Sequence, residues 1–168
     1  KAEGSSAQKN AIEAAISSFQ TACPDVTVNY NPTGSGAGIK QFVAGQVDFA
    51  GSDSALKPEE ATAAAATCKS PAWDLPMVAG PIAIAYNLPG VDKLVVSAEV
   101  AGKIFAGKIT AWNDPAIAAL NAGVTLPADP IKVYFRSDES GTTDNFQKYL
   151  KAAAGASWGL EAGKKWNG

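Results

Sequence analysis

One stretch limits the possible folds more than any other: Arg136-Ser137-Asp138-Glu139-Ser140-Gly141-Thr142-Thr143. A strand-like run, Ile131-Lys132-Val133-Tyr134-Phe135, leads into it, and a helical pattern with Phe146, Tyr149 and Leu150 on one face leads away. A strand, a tight turn and a helix start together make an anion site. The first amides of a helix lack intrahelical acceptors, and the dipole adds partial positive charge there. Ser140, Thr142 and Thr143 add hydroxyls, and Gly141 permits close backbone approach. Arg136 supplies a permanent charge and a fork of donors suited to a tetrahedral oxyanion, and Asp138 is placed to hold that fork. A capped helix beside a surface arginine is the plainer alternative.

The same punctuation recurs upstream. Lys1-Ala2-Glu3 is short for a core strand. Gly4-Ser5-Ser6 then precedes a helix from Ala7 to about Ala22, with Ala11, Ile12, Ala15, Ile16 and Phe19 on one face and Ser5 or Ser6 as its cap. Val26 to Tyr30 alternates as a strand and runs into Thr33-Gly34-Ser35-Gly36-Ala37-Gly38-Ile39. That turn is neither the dinucleotide fingerprint nor a nucleotide P-loop, but it can offer amides and the Ser35 hydroxyl to a small anion. A plain flexible turn is the alternative. Val47 to Ala50 reads as a short buried strand, and Asp53 follows at its C-terminal end, where open α/β sheets place ligands. A carboxylate beside an anion site makes sense when the ligand carries a proton, because ionised Asp only accepts. Alternatively, Asp53 caps the helix that starts near Pro58.

Farther on, a helix is expected from Pro58 to about Thr67. The apolar run from Trp73 to Tyr86, broken by Pro76 and Gly80-Pro81, predicts two strands bent near Gly80. Helices follow from Leu94 to Phe105 and from Asp114-Pro115 to about Leu120.

Composition narrows the function. A net charge of −2 without a long basic run disfavours nucleic acid and anionic membrane as partners, and no apolar run approaches a membrane span. The chain has no histidine, which removes His-based triads and most zinc sites. Neither an acidic metal cluster nor a G-x-S-x-G elbow is present, so a phosphatase-like enzyme is a poor reading and no metal or cofactor is expected. Cys23 and Cys68 each follow a helix-like segment and are either an exported-protein disulfide or two buried thiols.

Taken together, these stretches resemble one family, the PstS phosphate-binding proteins, which are substrate-binding components of phosphate ABC importers. The resemblance is carried by Gly4 to Gln8, Thr33 to Ile39, Val47 to Asp53, Gly80 to Gly90, Ile104 to Pro115 and Arg136 to Thr143. It implies an α/β, two-lobed fold of the type II periplasmic-binding-protein kind, with residues 1–79 as lobe one and 80–168 as most of lobe two. The family continues for about as many residues again, returning to complete the first lobe. The expectation is therefore an N-terminal portion with lobe one incomplete.

The resemblance also implies a ligand set for inorganic phosphate. Ser6 and Ala7 would donate from the first turn and Ser35 from the second. Asp53 would accept the phosphate proton, and Arg136 would pair with oxygens while Asp138 steadies it. Ser140, Gly141 and Thr142 would supply amides and hydroxyls. Glu139 stands where the family often has a small residue and adds negative charge near the site. The implied partners are phosphate and ABC permease subunits, the location is outside the cytoplasm, and a Cys23–Cys68 disulfide is expected there. A phosphate-binding surface protein without a transport role is the rival from another class. Sulfate and molybdate are disfavoured by Asp53, since neither carries a proton at neutral pH.

Overall fold

Three very short strands hold the N-terminal half together. The computed structural model describes residues 1–168. Strands β1 (Ala2–Gly4), β2 (Tyr30–Asn31) and β3 (Phe49–Gly51) form a parallel sheet in the order β2-β1-β3. Ala2 lies opposite both Tyr30 and Phe49, and Gly4 opposite Gly51. The segment that looked too short for a core strand is thus the central one. Helix α1 (Lys9–Ala22) connects β1 to β2, and α2 (Ser35–Val43) connects β2 to β3 across β1. Crossovers in parallel sheets are right-handed, so this reversal of direction puts α1 and α2 on opposite faces.

The glycines of the second turn let α2 sit directly on the sheet. A Cβ on Gly38 would lie 2.5 Å from the Gly4 Cα and 2.6 Å from the Glu3 carbonyl oxygen. Any side chain there would lift α2 and the Ser35 turn away from β1. Helix α1 is held less tightly: Ile12 and Ile16 are half-buried, while Phe19 is 44% exposed. Neither expected serine caps it. Gln8 takes the cap position without a side-chain bond, and the Ser5 hydroxyl is used elsewhere.

Helix α3 (Pro58–Cys68) begins at Lys57, whose N–H donates to Glu60 Oε2 at 2.9 Å, so Asp53 is not its cap. It packs on α2, and Thr67 donates its hydroxyl to the Val43 carbonyl. That corrects the expected disulfide. Cys23 and Cys68 are free thiols, the first half-buried and the second exposed. They end α1 and α3: the crossover rule puts α1 across the sheet from α2, and α3 packs on α2.

After α3 every named element is a helix. Helices α4 (Ala98–Phe105), α5 (Pro115–Ala118) and α6 (Gly141–Ala154) are capped in turn by Ser97, Asp114 and Ser140. Val100, Ile104, Ile109 and Ile117 form one core cluster, and Ala101, Leu150 and Trp158 another. Full burial of each large aliphatic contributes about 1.5–3 kcal/mol. On α6, Leu150 is fully buried and Tyr149 half exposed. Gln147, also fully buried, donates to the carbonyls of Gly163 and Lys165 and accepts from the Asn167 amide. It ties residues 163–167 to the helix that starts after Ser140.

Several expected strands do not form. Residues 73–86 carry no regular structure, and Trp73 and Met77 are each 80% exposed. Residues 131–135 also stay irregular, next to the lone bridge between Ala111 and Pro130. Only Tyr30 of the run from Val26 to Tyr30 is in a strand. An extended run becomes a strand only where another strand takes up its amides and carbonyls. Residues 73–86 lie beside none, and the run from Val26 meets β1 only at its end, where Asn29 accepts the Ala2 amide at 2.8 Å. No helix is long and apolar enough to cross a membrane.

Candidate functional site

All three strands point their C-terminal ends the same way, and the chain reverses its direction of travel at β1. Parallel sheets place ligands at that edge and at such a switch point. Ser5 follows β1, Ser35 opens α2 after β2, and Asp53 lies two residues past β3. Helix α6 brings its N-terminus against this edge. A Cβ on Gly141 would lie 2.7 Å from both the Asp53 Cβ and the Ser35 Oγ. Only glycine lets the start of α6 close to this distance.

Asp53 is the hub. Its Oδ1 accepts from the Ser5 hydroxyl at 2.5 Å and its Oδ2 from the Thr142 hydroxyl at 3.1 Å. Its amide donates to Ser35 Oγ at 3.2 Å, and its carbonyl accepts from Asn145 Nδ2 at 2.7 Å. The Ser5 oxygen also accepts the Ala7 N–H at 3.1 Å, and the Ser5 carbonyl accepts from the Tyr30 hydroxyl at 2.7 Å. Burial, and then the Asp53 charge, push the Tyr30 phenol up to about 12. Tyr30 is therefore a fixed donor at neutral pH.

Arg136 lies next to this hub. Asp138 takes two of its five N–H groups, with Nε to Oδ1 at 2.6 Å and Nη2 to Oδ2 at 2.5 Å. That pairing holds the guanidinium above its ordinary value; burial opposes the rise and the Asp53 charge adds to it. The same bonds hold the Asp138 carboxyl below its usual range. The three remaining guanidinium N–H groups are available to a ligand.

Glu139 does not add an unpaired negative charge. It pairs with Lys40 at 2.7 Å and Lys165 at 3.6 Å, and its carboxyl is lowered chiefly by the Lys40 bond. Its carbonyl accepts the Gly36 amide at 2.9 Å. Farther along the seam, Ser54 donates to Asp144 at 2.7 Å, and nearly buried Lys164 bonds Glu60 at 3.1 Å. Burial alone would raise the Asp144 carboxyl, but bonds from Lys148 and Ser54 outweigh it and the net shift is downward.

The structure thus brings Ser35, Asp53, Gly141 and Thr142 into direct contact, with Ser140 capping α6 through its bond from the Thr143 amide. Arg136 and Asp138 form the expected pair. Ala7 reaches the hub only through Ser5, and half-buried Ser6 makes no side-chain hydrogen bond within the protein. Sequence reasoning gave Ser5 only a capping role and overlooked Tyr30, Ser54 and Asn145 as site residues. Asn145 could have been found, since it lies one helical turn from Thr142. Tyr30 could not, since its role depends on how β2 and β1 align.

Over its full length the chain is 55% identical to phosphate-binding protein PstS 3 of Mycobacterium tuberculosis, covering 45% of that protein. Over 167 residues it is 52% identical to phosphate-binding protein PstS 2 of the same organism, covering 98% of this chain and 45% of that protein. The chain therefore spans just under half the length of these curated relatives. A solved structure described as a possible phosphate binding protein from Planctomyces limnophilus matches with a TM-score of 0.49 and 21% identity, over 93% of this chain and 52% of that one. The family model described as a PBP superfamily domain matches residues 1–167. The chain, matched over residues 1–167 by that model, belongs to the PBP superfamily.

Proposed function

We propose that the chain binds inorganic phosphate where the Ser5 and Ser35 turns meet the start of α6. The observation that carries this reading is Asp53: a carboxylate placed among hydroxyl donors at a helix N-terminus, beside a half-free arginine. Such a site suits an oxyanion that is both negatively charged and protonated. The names of the curated relatives support the same ligand. In this reading Ser6, Ala7, Ser35, Ser140, Gly141 and Thr142 donate, Arg136 supplies charge, Asp138 steadies it, and Asp53 accepts the phosphate proton. The Thr142 hydroxyl and the Ala7 amide, which bond within the protein here, turn to the ligand when it enters.

Residues 1–79 and 80–168 then act as two lobes, and phosphate favours closure because it touches both only when they meet. The protein works outside the cytoplasm, delivers phosphate to an ABC permease, and is a binding protein rather than an enzyme. Titration calorimetry of the protein with phosphate and with sulfate tests the ligand. Phosphate binding with weak or no sulfate binding is expected; equal binding, or none, overturns the reading.

A further inference from the structure

We propose that Ser5 is a positioning residue for anion selectivity, acting through Asp53 and not by touching the ligand. The proposal rests on the reading of this cleft as a phosphate site. Ser5 is 1% exposed. A hydroxyl has one proton, and Ser5 gives it to Asp53 Oδ1. Its oxygen takes the Ala7 amide, and its carbonyl takes the Tyr30 hydroxyl. Its hydroxyl proton goes to Asp53 and its backbone N–H donates to the Gly51 carbonyl at 2.8 Å, so Ser5 has no proton left for an anion.

What it does instead is hold the carboxylate. Oδ1 is pinned by Ser5 from β1, and the Asp53 amide by Ser35 from α2. Oδ2 meets only Thr142, at a longer 3.1 Å. The oxygen free to meet a ligand is therefore the one facing α6, and Ser5 keeps it facing that way. The Tyr30 bond to the Ser5 carbonyl fixes the turn from which the donor projects. Losing the Ser5 bond frees the side chain to rotate, so neither carboxylate oxygen is held against the anion and sulfate is no longer rejected as strongly.

The test compares the wild type with Ser5→Ala and Ser5→Thr. Phosphate and sulfate affinities are measured by calorimetry at neutral pH. Ser5→Ala should lose about tenfold of the phosphate-over-sulfate preference, the size of one hydrogen bond to a charged group. Ser5→Thr keeps the hydroxyl and should restore the preference. A second measurement needs no anion: three-bond couplings across Asp53 χ1 should report one rotamer in the wild type and averaging in Ser5→Ala. If Ser5→Ala lowers melting temperature but leaves the preference intact, or if the couplings do not change, the proposal is overturned. If the wild type binds no phosphate while the couplings do change, the phosphate reading fails and the positioning of Asp53 by Ser5 stands.

Discussion

The Asp138 carboxylate grips Arg136 from two residues away, through Nε and Nη2 together, and so fixes the plane of the guanidinium. The free edge of that plane is what an anion would meet, and Arg136 is the one formal positive charge in the proposed ligand set. Arg136→Ala should therefore weaken phosphate binding by about 100-fold, in line with truncating one partner of a hydrogen-bonded charge pair. Its circular dichroism should remain that of wild type. A folded mutant with unchanged affinity in calorimetry would remove Arg136 from the site.

In the proposed phosphate site, Asp53 is the residue that selects among anions. Facing a protonated phosphate oxygen, a carboxylate gains a short charge-assisted bond; facing a fully deprotonated oxyanion, it repels. Asp53→Asn keeps the size and adds an amide donor. Sulfate should then compete with phosphate at neutral pH, which competition titrations against wild type would show. Unaltered selectivity would rule out this role.

The start of α6 approaches the hub so closely that only glycine fits. Gly141→Ala would put a methyl group 2.7 Å from both the Asp53 Cβ and the Ser35 Oγ. One side must move, at a cost of about 1–3 kcal/mol for an overpacked site. We expect a lower urea midpoint and weaker phosphate binding together. A fully stable, fully active alanine variant would contradict the packing.

Acid should loosen the seam. Asp138, Glu139 and Asp144 all have folded-state values below their ordinary ones. The unfolded chain therefore binds more protons than the folded one as pH falls through the carboxylate range. Their stabilisation is present in full above about pH 5 and is lost as pH drops from the unfolded values near 4 toward the lower folded ones. Denaturant midpoints measured from pH 6 to pH 3 should fall along this limb. Asp144→Asn should flatten the fall, because its bonds to Ser54 and Lys148 hold one of the shifted carboxylates. An identical acid limb in wild type and variant would exclude Asp144 as a contributor.

The sequence alone determined the local pieces whose causes are local. Ser140, with free amides after it and an apolar face at Phe146 and Leu150, specifies the start and direction of α6. Asp114-Pro115 specifies α5. The Gly34-Ser35-Gly36 turn and the position of Asp53 after a short apolar run marked the site edge, and the Arg136–Asp138 pair follows from two residues close in the chain. Strand extent was decided by tertiary structure, because a strand depends on its neighbour: Lys1 to Glu3 looked too short and became the centre of the sheet, while residues 73–86 looked like two strands and found no partner. The cysteines were decided by where their helices lie, which depends on crossover direction for α1 and on packing against α2 for α3, and not on spacing. The choice of Ser5 over Ser6 as the residue bonded to Asp53 was decided where β1 ends against β3. Adjacent residues leaving a strand point to opposite sides, and only the pairing of Gly4 with Gly51 settles which of them faces the carboxylate.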